Sequence, residues 1–529
     1  MAFNTISKRL CIGHNRPMSL RSLFKSTSLV ASQTMISRLL GFLRDMILAL
    51  VFGAGVEFDA FVVAFKIPNF MRRIVGEGAF SQAFVPVLAE YREKHTEEEV
   101  QTFVARVAGT LGLILFIMVL VAQLIAPLLV LIFAPGFYTD PVRLSLAAEM
   151  LHITFPYIFF IGLVAFSAGV LNTFSRFGVP AFTPVLLNVS MIVCAWYIAP
   201  HVEKPIIVLA WGVFLGGVLQ LLFQFPALKK IRMLPRPRLG WKEAGVRKVF
   251  KLMLPALFGV SVAQISILLD NFFASFLPKG SISWLYYSDR LIYLPLGVIG
   301  VALATVILPY LARHHARESK KEFSDTIDTT LAGMLLLGLP SAIGLMLLAV
   351  PILATLIKHG EFKAFDVLMT ARSLQAFAIG LPAFMLVKIL VSGFYSRQDI
   401  KTPVRIAVIS LILNILLNLS LIHWLAHAGL ALATSLASIV NTLLLLYKLK
   451  KHEVYHPRLA WKALLMRMVA ASLLMVGLLW YFQPPAEWWL ASRATWELGK
   501  QLLFLMVLGS AGYVLTLWLT GFRLKQLKS

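Results

Sequence analysis

Along this chain apolar positions neither alternate with polar ones nor keep to one helical face. They fill whole stretches of about 20 residues, the length a helix needs to cross roughly 30 Å of hydrocarbon. Lipid offers no partner to backbone amides, and the runs are too long and too uniformly apolar for barrel strands. The pattern therefore predicts an all-α polytopic membrane protein. About fourteen transmembrane helices are expected, near residues 24–52, 58–91, 101–133, 145–173, 180–199, 205–226, 249–277, 283–312, 327–357, 367–396, 404–424, 427–447, 460–482 and 499–521. The second span contains Pro-Asn and Gly-Glu-Gly interruptions, and it and the ninth can each divide into a helix and an interfacial piece.

The pattern also repeats. "SQTMISRLLGF" (32–42) matches "VAQISILLDNF" (262–272), "FVPVLAEYR" (84–92) matches "VILPYLARH" (306–314), "APGF" (134–137) stands opposite "KHGEF" (358–362), and "FSRFGVPAFTP" (174–184) opposite "YSRQDIKTP" (395–403). Four weak matches in nearly one register predict an internal duplication. Each copy holds six spans, an even number, so the second enters from the same side as the first. Two parallel-repeat six-helix lobes are expected, related by an axis along the membrane normal. The resulting organisation is a cytoplasmic N-terminal segment (1–23), an N-lobe (24–228), a basic linker (229–248), a C-lobe (249–450), and a C-terminal helix pair with its tail (451–529).

Composition agrees with this solvent: of 529 residues 59% are hydrophobic and 14% charged, with mean hydropathy +0.81. The net charge of +24 would suggest nucleic acid in a soluble protein. Here most of the 49 Lys and Arg fall in alternate loops, so the positive-inside rule explains the excess and sets both termini in the cytoplasm. The run "KKIRMLPRPRLGWKEAGVRKVFK" (229–251) reads as an anchor to anionic headgroups of the membrane lipids. Cys11 and Cys194 stand far apart and make no disulfide framework. The first residues lack the apolar core of a signal peptide, and Met18 is an alternative start to Met1. Trp480, Trp488, Trp489 and Trp496 are expected as an interfacial aromatic belt.

Charge inside the spans is the informative exception. Each costs about 2.5 to 3.5 kcal/mol at a helix centre, so these side chains should face a shared polar interior. Arg38, Arg44, Arg72, Arg73 and Arg290 are the candidate substrate-binding residues; Asp45, Asp59, Glu77 and Asp289 are candidate supporting or orienting acids. Arg38 and Asp45, seven apart, lie nearly on one face, and Arg73 and Glu77 have ion-pair spacing. Asp289 and Arg290 are adjacent and cannot share a face, so at least one needs a distant partner. The first half holds more arginine than nearby acid can neutralise, and arginine's planar fork suits phosphate. A cation-lined cavity implies an anionic substrate.

Enzyme chemistry is not expected. "HEVYH" (452–456) matches the zinc-protease pattern, but His456 precedes proline, which disfavours helix there. No catalytic or metal-binding residues are assigned, no nucleotide fingerprint appears, and no cofactor is expected. An ion gradient or the membrane potential is left as the energy source.

The stretches "SRLLGFLRDMILALVFGAG", "DAFVVAFKIPNFMRRIVGEGAFSQAFVPVLAEY", "LNTFSRFGVPAFTPVLLN", "SWLYYSDRLIYLPLGVIGVALATVILP" and "GFYSRQDIKTPV" resemble the MurJ (MviN) family of lipid II flippases, within the MOP exporter superfamily. The resemblance runs from about residue 20 to the C terminus. It implies a V-shaped pair of lobes in the bacterial inner membrane that moves lipid II, the undecaprenyl-pyrophosphate-linked peptidoglycan precursor, to the periplasmic leaflet. Arg38, Arg44 and Arg72 correspond to cavity residues that hold the pyrophosphate and sugar head, and Asp59, Asp289 and Arg290 to other sensitive positions. The two extra helices would form a groove for the prenyl tail, and cell-wall synthesis proteins would be partners. Flippases for other polyprenyl-linked saccharides share this pattern. A drug or cation exporter of the same superfamily would carry cavity acids in excess, which this sequence opposes.

Overall fold

A computed structural model describes residues 20–73, 80–317, 319–491 and 493–523. Among them every regular element is helical: α1 (Leu20–Phe52), α2 (Val56–Met71), α3 (Ser81–Lys94), α4 (Glu97–Leu124), α5 (Ala126–Phe133), α6 (Pro141–Thr154), α7 (Tyr157–Thr173), α8 (Gly178–Val193), α9 (Pro205–Lys230), α10 (Ala244–Ala274), α11 (Ser281–Pro295), α12 (Ala302–Ala316), α13 (Lys320–Leu347), α14 (Ala349–Leu356), α15 (Ala364–Tyr395), α16 (Lys401–Lys451), α17 (Trp461–Phe482), α18 (Ala486–Leu490) and α19 (Thr495–Leu519). Nine helical stretches among the described residues are long and apolar enough to cross a membrane. One of them, α16, is two helices joined by a kink at Ala426.

More spans are broken than the two expected. α4 and α5 meet at Ile125, α6 and α7 at Phe155–Pro156, and α11 and α12 are joined by the π-helical stretch Leu296–Val301. Local chemistry sets several starts. Thr96 and Glu99 form a reciprocal capping box at α4, and Asp140 accepts the Arg143 amide ahead of Pro141 at α6, each meeting a backbone donor that the first helical turn leaves free.

The duplication is visible element by element. α10 to α15 and the two arms of α16 begin 221 to 225 residues after α1 to α6, α8 and α9. The breaks recur as well, π-helical turns at Arg72 and Leu296 and interruptions at Ile125 and Leu348. Left-handed backbone follows the same register, at Ser175 and Gln398 and again at Arg232 and Glu453.

The two copies meet tightly at the end that carries the loops after α1, α5, α10 and α14. There the Glu361 amide donates to Leu50 O at 3.0 Å, the Gly136 amide to Ser275 Oγ at 2.9 Å, and Tyr287 OH to Gly53 O at 3.2 Å. Gly360 has φ +58° and leaves no room for a Cβ against Leu50 O, so only glycine fits this crossing. Phe58 stacks on Tyr287 with ring centroids 5.1 Å apart. At the opposite end the residues after α9 run along α4, where the Arg238 amide donates to Ala105 O at 3.0 Å.

The hairpin α17–α19 packs on α13 and α14. Trp480 and Trp496 are exposed, as an aromatic belt requires, but Trp489 is fully buried and leaves it. Its place in α18, turned inward beside α14, is what removes it.

Candidate functional site: a cationic seam between the repeats

α1 and α11 bring opposite halves of the chain into contact at Asp45. Its Oδ1 accepts Arg44 Nη2 at 2.7 Å, Arg44 Nε at 3.0 Å and Tyr286 OH at 2.8 Å, while Oδ2 lies 3.4 Å from Arg290 Nε. The Arg290 guanidinium lies over the Tyr286 ring, 4.7 Å from its centroid, a cation–π contact. Arg44 Nη1 donates to Asn188 Oδ1 at 3.0 Å, and Asn188 in turn donates to Ser37 O at 3.1 Å. Arg44 and Asp45 are buried. A buried ion pair persists only where hydrogen bonds replace its lost hydration, and Tyr286 and Asn188 supply them.

Arg38 does not share Asp45, despite their common helical face. Its guanidinium lies against Gly297 in the π-helical stretch, where any Cβ would collide with it. The side chain itself is exposed. Arg72 Nε donates to Asn69 Oδ1 at 3.2 Å, and Arg73 is exposed. The expected Arg73–Glu77 pair lies outside the described residues because of Glu77.

Asp289 lies within electrostatic reach of Arg290, Lys66 and Arg73. Lys66 crosses the seam to donate to Asn271 Oδ1 at 2.7 Å. Of the adjacent Asp289 and Arg290, Arg290 thus finds the distant partner, Asp45.

Asp59 requires a correction, since the hydrogen bonds that it accepts among the described residues come from the start of α11 and not from a candidate arginine. Its carboxylate accepts the Gly280 amide at 2.7 Å, the Ser283 amide at 2.9 Å and Ser283 Oγ at 2.6 Å. It therefore caps α11 from the other half of the molecule, where free amides and the positive end of the helix dipole favour an anion.

Sequence reasoning missed Tyr286 and Asn188. Tyr286 precedes Arg290 by one helical turn, and Asn188 interrupts an apolar run in α8, so each left a faint signal. "HEVYH" has no shared helical face: His452 ends α16, Glu453 is left-handed, and His456 exchanges backbone hydrogen bonds with Ser324.

Beside the seam lies an apolar cavity of about 1230 Å³. Leu291, the residue after Arg290, and Leu294, one helical turn on, form one wall; α13, α14, α17 and α19 form the others. The arrangement can hold an anionic head at the arginines and an apolar chain alongside.

This architecture is the fold of the MOP transporter superfamily. An inward-facing multidrug transporter of its MATE family matches with TM-score 0.65 at 14% identity, over 80% of this chain and 98% of that one, a likeness of fold alone. The family described as lipid II flippase MurJ matches residues 48–496, and the chain belongs to that family. It is 45% identical over 520 residues to the probable lipid II flippase MurJ of Vibrio cholerae, covering 96% of this chain and 98% of the relative. It is 40% identical over 506 residues to the lipid II flippase MurJ of Burkholderia cenocepacia, covering 95% and 98%. A solved lipid II flippase MurJ in an inward closed conformation matches with TM-score 0.77 at 29% identity, over 92% of this chain and 97% of that one.

Proposed function

We propose that this protein carries lipid II from the cytoplasmic to the periplasmic leaflet of the inner membrane. The observation that carries the reading is the juncture of two environments: arginines of both repeats meet at Asp45, and the apolar cavity begins at the next residue after Arg290. A lipid with an anionic diphosphate head and a long prenyl tail needs both. Arg38, Arg44, Arg72, Arg73 and Arg290 would take the head, since guanidinium forks match phosphate oxygens. The cavity beside α17 and α19 would take the tail. With both termini cytoplasmic, the tight end of the bundle faces the periplasm. Transport would then proceed by alternating access, the two lobes rocking about the seam, driven by an ion gradient or the membrane potential. Cell-wall synthesis proteins would be its neighbours.

The test is leaflet accessibility of lipid II in bacteria depleted of their own flippase and expressing this chain or Arg44→Ala. An impermeant hydrolase should reach the precursor with the unmodified chain and fail with the variant, both inserted equally. If the precursor stays inside with both, the lipid II assignment falls and other polyprenyl-linked saccharides are the next substrates to try.

A further inference from the structure

The segment that carries "HEVYH" has work that its histidine side chains do not explain. Asp328, on α13 and 1% exposed, accepts four hydrogen bonds from it: Tyr455 OH, the Arg458 amide at 2.9 Å, the Leu459 amide at 2.8 Å and Trp461 Nε1 at 2.6 Å. One turn earlier Ser324 Oγ donates to His456 O and accepts its amide, each at 2.9 Å. Arg458 pairs with Asp325 at 2.9 Å. Residues 455–461 are thereby clamped to α13 where α17 begins.

A second clamp closes the far end of the same hairpin. Lys358, just after α14, donates to Leu490 O and Ala491 O, and Trp489 is buried there without exposed surface. The apolar cavity lies between the clamps, walled by Met475 and Leu479 of α17, Leu505 and Tyr513 of α19, and facing residues of α13 and α14. A hairpin free to swing would need neither clamp, and a buried carboxylate with four donors is costly to open.

We infer that α17–α19 is a fixed wall, held to α13 and α14 by polar clamps at both ends, and that Asp328 is the positioning residue that keeps the cavity open for a long polyprenyl chain. The inference rests on the tail-binding reading above. A carrier built this way keeps the tail on the second repeat throughout the cycle, while the head sits at the seam between repeats.

Two measurements on the full-length protein test it. Binding of undecaprenyl diphosphate and of geranyl diphosphate, which share a head and differ in chain length, is compared in the unmodified chain, Asp328→Asn and the milder Tyr455→Phe. The variants should lose about tenfold in affinity for the long chain with the short one unchanged. An equal loss for both probes would make the clamp merely structural and overturn its positioning role. In a chain freed of Cys11 and Cys194, Asp325→Cys with Arg458→Cys should cross-link without loss of lipid II transport. Arrest that reduction reverses would show that the hairpin must move. Failure of the unmodified chain to bind either diphosphate would sink the flippase reading and this inference together, whereas the other adverse outcomes leave the flippase reading standing.

Discussion

Asp140 shows how one residue serves two structures. Its carboxylate accepts the Arg143 amide at 3.2 Å at the start of α6, pairs with Arg143 Nε at 3.0 Å, and lies 3.5 Å from Lys279 of the other repeat. Burial acts to raise its pKa, but the Arg143 amide and guanidinium, with Lys279, outweigh burial and hold it below the usual carboxylate range. A depressed folded pKa means that its stabilisation is complete above the unfolded value of about 3.9 and is lost as pH falls through the lower folded one. Acidification to pH 5 should therefore leave this contact intact. Asp140→Asn keeps a good cap but leaves the buried Arg143 guanidinium without its carboxylate, which should cost about 3 kcal/mol; Asp140→Ala also loses the cap, about 1 kcal/mol more. Thermal unfolding of the purified variants at pH 7 measures both, and equal midpoints would show that the cap contributes nothing. At this scale the sequence reveals charge but not partner. Arg44, Asp45 and Arg290 were legible because charge among apolar residues needs a reason. Tyr286 and Asn188, which make the pair tolerable, carry no charge and left little trace. Asp59 was assigned to the arginines because nothing in its neighbourhood could show that its partners are amides opening a helix in the other half of the chain.

Helices were legible where hydropathy alone decides them. The division of α16 between 424 and 427 follows from a dip in the apolar pattern at "WLAHAG", although no proline or glycine stands at the break itself. Instead Ala426 adopts φ +46° and ψ −129°, a conformation that only glycine takes without strain. Ala426→Gly should therefore stabilise the protein, by about 1 kcal/mol after the flexibility glycine adds to the unfolded chain. A lower midpoint in thermal unfolding would show that the Ala426 side chain contributes more by packing than its backbone costs. The π-helical geometry of the stretches at Arg72 and Leu296 was not legible, although the interruptions of the second span marked a break near Arg72, because a single residue accommodated inside a helix changes no hydropathy average. Yet the one at Leu296 presents Gly297 to Arg38 and so shapes the seam. Their recurrence in both copies, nearly a repeat length apart, ties them to the duplicated unit.

For the molecule as a whole, the proposed rocking of two lobes makes a demand that the proposed fixed hairpin does not. The contacts among the loops after α1, α5, α10 and α14 join the repeats at one end, so on that proposal the substrate leaves there only if they separate. Asp140 and Lys279 straddle that boundary, and neither belongs to the arginine seam. In the cysteine-free chain, Asp140→Cys with Lys279→Cys, bridged by a short bifunctional thiol reagent, should insert normally and stop lipid II transport, with each single variant still active after the same treatment. The arrested carrier should still bind undecaprenyl diphosphate from the opposite end, because the arginines remain in place. Undiminished transport after complete bridging would mean that the repeats never part at this end, and alternating access about the seam would have to be abandoned. The contrast with a bridge between positions 325 and 458, which should leave transport intact, separates a boundary that opens from one that the two clamps keep closed.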